Sequence, residues 1–267
     1  MTQPKINTIS RGGSRFYVSP LNGDKVPGVT SVVGMLPKGF LGPWNAKLVA
    51  ETAVDSLGEV VSIAMKDRQA AIDFLKGAPR RFTSKAADVG TDAHDVFEKM
   101  ARGETPGRMH PELKVYADHF SAFLDEFQPE FLHLEQTVWS ETHGYAGSFD
   151  AIMKVDGEIV GADWKTTRSG VHAEVAIQLA AYRFADYILD PETSDQIDIP
   201  KWTGGAVFHV RPEGWSLVPV RCDEAVFEYF LHLRRVFEWD REVKDTVLGQ
   251  PLNVGAKKRA APRRRSA

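Results

Sequence analysis

Apolar positions recur along this chain at two spacings, and the two mark out different elements. Helical spacing predicts a short helix after Pro27-Gly28 and a longer one opened by Leu41-Gly42-Pro43, in which Trp44, Leu48, Val49 and Ala53 form a core stripe. Asp67 to Leu75 reads as another helix, followed by a polar connection holding Lys76, Arg80, Arg81 and Lys85. Thr91 is placed to cap a helix from Asp92 to about Ala101, with Val96, Phe97 and Met100 facing inward. Glu112 to Phe127 follows, with Val115, Phe120, Phe123, Leu124 and Phe127 toward the core, and Pro129 ends it. Val171 to Leu189 and a last helix from the cap Asp223 to about Val247 complete the set; the latter presents Val226, Phe227, Phe230, Val236 and Phe237 inward.

Strand spacing appears in Arg15 to Val18, within an otherwise irregular stretch 1–26, and in Leu132 to Glu141, which turns near His143-Gly144. Ser148 to Val155, Glu158 to Thr166, Gly204 to Arg211 and Trp215 to Arg221 are further strands, the last two joined through Pro212-Glu213-Gly214. Together these elements predict an α/β fold in which a mixed β-sheet is flanked by helices. Three segments are expected: an N-terminal segment and helical annex over 1–89, a core over 90–248 and a disordered basic tail over 249–267.

The hairpin at Asp156-Gly157 is where the chemistry gathers. That dipeptide suits a two-residue type I′ turn, so register follows by counting outward: Val155 faces Glu158, Ile152 faces Gly161, and Asp150 lands opposite Asp163. Opposed residues have Cβ atoms roughly 4.5–5.5 Å apart, where like charges are destabilising unless a cation sits between them. Asp163 and Lys165 share a face by alternation, so Asp150, Asp163 and Lys165 form one cluster. The turn near His143-Gly144 places Thr137 beside Asp150 and Glu135 two residues on, which makes Glu135 either an acid near the cluster or an exposed strand glutamate.

Two helices add candidates. His94 and Glu98 share a face; a lone helical histidine is ordinarily structural, and Glu98 reads as an exposed helix acid that could touch a metal-bound water. Gln178 interrupts the apolar stripe Val175, Leu179, Tyr182, Ala185 and Leu189. A buried amide left unsatisfied costs about 1–3 kcal/mol, so it needs a partner, such as Tyr182. His209 reads as a strand-filling histidine.

Composition limits what this cluster can serve. With 267 residues, 43% hydrophobic and 26% charged, the chain can bury one sizeable core. Its single cysteine, Cys222, excludes an internal disulfide and fits a reducing, cytoplasmic setting. No stretch is apolar enough to span a bilayer, so no membrane partner is expected. The tail from Ala256 carries six basic residues and no acid; removing them takes the net charge from −3 to −9. An acidic body argues for local rather than broad phosphate contact, and the tail is either a solubilising end or an electrostatic tether.

Taken in order, Gly90-Thr91-Asp92-Ala93-His94, Gly147-Ser148-Phe149-Asp150, Asp163-Trp164-Lys165, Gln178 and Tyr182 resemble the RecB-type branch of the PD-(D/E)XK nuclease superfamily, over approximately residues 90–190. The resemblance implies a restriction-endonuclease-like fold and a metal-dependent DNA nuclease, an exonuclease of recombination or repair. It implies Mg²⁺ or Mn²⁺ held by His94, Asp150, Asp163 and the carbonyl of Trp164. Lys165 would orient the attacking water, and Gln178 and Tyr182 would buttress the carboxylates or approach DNA. DNA, and a recombination or helicase protein, are the partners it suggests. The alternative is a nuclease-fold module that binds DNA or a recombination partner without cutting. Four cysteines for an iron-sulfur cluster are lacking, and so is a Walker A loop.

Overall fold

Asp156 and Gly157 both take positive φ, 49° and 86°, which is the type I′ requirement. In the computed structural model, which describes residues 5–250 apart from the side chains of 85–88, this turn joins the two central strands of the larger sheet. Lys85 and the basic tail expected over 249–267 lie outside what is described, except for residues 249 and 250.

The chain opens with a small antiparallel sheet of β1 (Thr8–Arg11), β2 (Ser14–Val18) and β3 (Lys25–Pro27). Only the middle strand of the three was expected. The Gly12-Gly13 turn, at φ 57° and 77°, is the hairpin signal that would have revealed its neighbour. Next come α1 (Val29–Val33), α2 (Leu41–Asp55), α3 (Leu57–Lys66) and α4 (Arg68–Lys76, capped by Asp67). The stripe assigned to the core of α2 is half-buried at most, and neither α2 nor α3 buries a residue; Trp44 packs edge-on against Phe82. α3 itself was not anticipated.

The polar connection after α4 is in fact the first half of a helix. α5 runs unbroken from Ala78 to Ala101 with Pro79 in its first turn. No proline interrupts residues 80–101, and the run of charges there is simply a solvated face. Thr91 is therefore interior to α5 rather than its cap, and the boundary expected at 89/90 falls inside this helix. α6 (Pro111–Phe127) buries Tyr116, Phe120 and Phe123, while Val115 faces solvent.

The remaining strands build a seven-stranded mixed sheet, open at both edges, in the order β10-β9-β6-β5-β4-β7-β8. They are β4 (Glu130–Ser140), β5 (Tyr145–Val155), β6 (Glu158–Lys165), β7 (Tyr187–Leu189), β8 (Gln196–Ile197), β9 (Gly204–Arg211) and β10 (Gly214–Val220). α7 spans Glu174–Arg183, shorter than predicted, because the fully buried Tyr187-Ile188-Leu189 leaves the helix to pair with β4. α8 (Glu224–Glu238) is capped by Asp223 and continues into a π-turn at Trp239–Val243; Val236 on it is exposed.

The result is a mixed α/β fold whose sheet is covered on both faces. α1, α7 and α8 pack one face through Val29, Leu179 and Phe230. α5 and α6 cover the other, where Phe97 and Phe120 stack at 4.6 Å and Phe120 meets Trp164 edge-on at 5.6 Å. The N-terminal sheet joins this body through a bridge from Gly28 to Ala146 and a cluster that includes Tyr17, Trp139 and Tyr187.

Candidate metal-binding active site

The site forms where the β4-β5-β6 ladder breaks. β5 pairs with β6 from Val155–Glu158 to Ala151–Ala162, so continuing the register sets Asp150 opposite Asp163. On its other side β5 pairs Leu134–Ala151 and Gln136–Phe149, which leaves Glu135 facing Asp150 and both outside the ladder. Thr137 pairs with Ser148, two residues from the position expected for it. The connection is a four-residue loop, Glu141–Gly144, pinned by Thr142 N–H to Asp186 and by His143 N–H to the Ser140 hydroxyl.

Glu135 has φ 50°, the left-handed region that costs a non-glycine residue on the order of 1–2 kcal/mol. The kink has a visible effect on side-chain direction. Phe149 and Ile152 pack in the α7 layer while Ala151 and Met153 pack in the α5 layer, so the alternation of β5 changes phase across Asp150. Glu135 is buried, which removes the reading of an exposed strand glutamate.

Asp150 does the work that a ladder partner would have done. Its Oδ2 accepts the Trp164 N–H at 2.6 Å, and its Oδ1 lies 3.4 Å from His94 Nδ1. The indole of Trp164 is buried among the aromatic rings below, so this residue meets the cluster through its main chain. His94 Nδ1 is buried with no hydrogen-bond partner, so its approach to Asp150 is electrostatic rather than a formed bond. Ligand atoms of His94, Glu135 and Asp150 all lie within 4.8 Å of one another, close enough to hold one ion.

Asp163 sits beside this trio, engaged by other residues. Gln178 Nε2 donates to Asp163 Oδ1 at 2.9 Å and reaches the Tyr182 hydroxyl at 3.1 Å. Lys165 Nζ stands 2.6 Å from Asp163 Oδ2, an ion pair whose angle is not that of a hydrogen bond. Thus the half-buried Gln178 amide donates both to Tyr182, the partner its sequence position suggested, and to the carboxylate that the family resemblance implied.

Burial and charge set the protonation of these groups. For Asp150, burial pushes the carboxyl up, but His94, Lys165 and the Trp164 N–H together hold it below the usual aspartate range. Asp163 goes the other way: burial, with the Asp150 charge beside it, outweighs Lys165 and raises it. Lys165 is raised, because the two aspartates outweigh its burial, and it stays an ammonium. Burial pushes the Tyr182 phenol far up, so it is a neutral hydroxyl.

Glu98 is not part of the site. It pairs with Lys5 at 2.9 Å and Arg102 at 2.8 Å, tying the N-terminal segment to α5, and these partners outweigh burial in lowering its carboxyl. His209 is buried and bonds the Thr167 carbonyl at 2.8 Å, steadying the turn after Lys165. A small cavity opens over the cluster, and its wall includes Arg15, Tyr17, Val29 and Thr30, none of them anticipated as site residues. No sequence motif marks them; they arrive through the small sheet and α1.

The fold and cluster define an open mixed α/β sheet with a buried histidine-carboxylate site at a ladder break. No protein-family profile matches the chain, and no curated protein matches it. Among solved structures it is similar to one titled "Crystal structure of SSO0001", with 13% identity, 74% of this chain and 86% of that chain covered, and a TM-score of 0.30. No helix among the described residues is long and apolar enough to cross a membrane.

Proposed function

We propose that this protein is a metal-dependent DNA nuclease of the restriction-endonuclease-like class, an exonuclease in recombination or repair. The observation that carries the reading is the convergence of His94, Glu135 and Asp150 within 4.8 Å, next to the Lys165–Asp163 pair. Two carboxylates and one imidazole are a donor set for a hard divalent cation, with the nitrogen favouring Mn²⁺ over Mg²⁺. The buried Nδ1 of His94, lacking a hydrogen-bond partner, fits such an ion. His94, Glu135 and Asp150 would hold it, with Asp163 adjacent.

A divalent ion there supplies Lewis-acid polarisation of a phosphoryl oxygen. The protein's own groups do the rest. Lys165, an ammonium fixed by Asp163, orients the attacking water and faces the charge that develops as the P–O ester bond breaks. Gln178 and Tyr182 hold Asp163 so that Lys165 stays aimed. Asp150, bonded to the Trp164 N–H, is fixed by the strand beside it.

The test uses the purified protein with linear and circular, single- and double-stranded DNA, under Mg²⁺ or Mn²⁺ and under EDTA. Release of nucleotides from linear ends, lost in Asp163→Ala and Lys165→Ala variants that remain folded, is the expected result. Cleavage of circles would make it an endonuclease. DNA binding without scission in any metal would replace the enzyme with a binding module, and undiminished activity in either variant would refute the site.

A further inference from the structure

We propose that Arg15 is a substrate-binding residue that takes a phosphate of the nucleic-acid strand, a role that rests on the function proposed above. Its main chain is fixed at three points. The N–H donates to Ser31 Oγ at 2.9 Å, and the carbonyl accepts from Gly28 N–H at 2.9 Å and from Ser31 Oγ at 3.3 Å. From this fixed position on β2, Arg15 lines the cavity that holds His94, Glu135, Asp150, Asp163 and Lys165. Tyr17, two residues on and so on the same strand face, lines it too and exchanges hydrogen bonds with Ser148, which docks β2 against β5.

Among the described residues the Arg15 guanidinium makes no hydrogen bond and no ion pair, although three carboxylates line the same cavity. Lys165, the other permanent cation on that wall, is engaged by Asp163 at 2.6 Å. Among the described residues lining the cavity, Arg15 is therefore the cation still available for a ligand. Among the described residues that line the cavity, three carboxylates stand against two cations, Arg15 and Lys165, and a divalent ion bound there would add positive charge that favours a phosphate. A guanidinium presents a rigid fork that matches a phosphate through two parallel bonds, a geometry a lysine cannot reproduce.

The wall carrying Arg15 is also dense. A Cβ added to Gly147 would lie 2.6 Å from the Tyr182 ring and 2.8 Å from Val29, so α1 is seated directly on β5 there. The phosphate taken by Arg15 is either the terminal group of a strand or an internal diester, and the two share one chemistry.

The experiment measures binding of short single-stranded oligodeoxynucleotides, with a terminal phosphate or a terminal hydroxyl, to wild type, Arg15→Gln and Arg15→Lys across a salt series. Ca²⁺ replaces the catalytic ion so that binding is read without turnover. Arg15→Gln is expected to weaken binding about tenfold and to lower the slope of log affinity against log salt by about one. Arg15→Lys keeps the slope and loses part of the affinity. A loss confined to the phosphorylated oligonucleotide assigns the terminal group; an equal loss with both assigns an internal diester. Unchanged affinity and slope in Arg15→Gln, or no binding by wild type, overturns the proposal. Should Arg15→Gln fail to fold, wild-type affinity in Arg15→Lys overturns it equally. Wild-type cleavage, assayed separately under Mn²⁺, decides the nuclease reading independently of these binding data.

Discussion

Asp150→Asn tests the site with the least disturbance to the fold, because the amide keeps the volume and its oxygen can still accept the Trp164 N–H. In the metal-free protein the change trades a charge-assisted hydrogen bond, worth about 1.5–3 kcal/mol, for a neutral one worth about 0.5–1.5. The expected loss is about 1–1.5 kcal/mol, or roughly 2–6 °C in Tm for a chain of this size. Manganese should widen that gap. At a free concentration one hundred times its Kd, an ion bound only by the folded state adds about 2.7 kcal/mol, which is roughly 5–11 °C. Changing a residue that merely orients a ligand costs ten- to a hundredfold in affinity, so losing the ligand itself costs at least a hundredfold. The same Mn²⁺ then adds about 0.4 kcal/mol to the variant, roughly 1 °C.

Thermal unfolding with and without Mn²⁺ reads both numbers. The folded protein holds the Asp150 carboxyl below the ordinary aspartate value, so its charge stabilises the fold above about pH 4, and that contribution is lost as pH falls further. The metal-free gap between wild type and variant should therefore be full at neutral pH and close in acid. A Mn²⁺-induced shift in Asp150→Asn equal to that of wild type would refute the assignment of Asp150 as a ligand.

Lys165→Met leaves Asp163 buried without the cation 2.6 Å away; the metal-free Tm should fall, Mn²⁺ should recover part of the loss, and cleavage should drop roughly 10²–10³-fold in single-turnover assays. At residue 135 the usual stability order of alanine over glycine should reverse, because only glycine is unstrained at φ 50°; Glu135→Gly should unfold about 1 kcal/mol later than Glu135→Ala in urea, and both should weaken Mn²⁺ binding. Gly161→Ala tests the sheet rather than the site: its Cβ would fall 1.4 Å from Trp202 Cζ3, so a loss above about 3 kcal/mol, or failure to express folded, is expected in denaturation curves.

Much of the sheet was legible because its signals are local. Asp156-Gly157 specified both turn type and register for β5 and β6, and Pro212-Glu213-Gly214 marked the β9-β10 turn with only its boundary displaced by a residue. Helix faces on the core side were legible as well, through Phe120, Phe123, Phe227 and Phe230. What misled was equally physical. Trp44 and Leu48 have the spacing of a core stripe, yet α2 lies in the annex, where no sheet covers it. The charged run at 80–85 looks like a connection only if polarity is taken to break a helix, which it does not. β7 is a three-residue strand inside an apolar stripe that suits either element, and only its burial beside β4 decides.

The site shows the same division more sharply. The β4-β5 loop has four residues where two were expected, and its length depends on Asp186, distant in sequence, bonding the Thr142 N–H. A slip of two residues in the loop by itself preserves the face a side chain takes, whereas a slip of one would reverse it. That is why Glu135 stayed on the cluster side in the sequence reading, and why its partner was still misplaced: two residues bring it from beside Asp150 to directly opposite. With the left-handed turn at Glu135 both residues lie outside the ladder, and their carboxylates come close to His94. No propensity encodes a glutamate at φ 50°. Strain of that kind persists only where surrounding structure over-determines it, and here Ser148, Tyr17 and the four-residue loop fix β4 and β5 on the loop side of the kink, while the Leu134–Ala151 pairing resumes the ladder on the other. Chemistry-bearing residue types were therefore readable one by one, while the geometry that makes them a single site belongs to contacts between segments far apart in the chain.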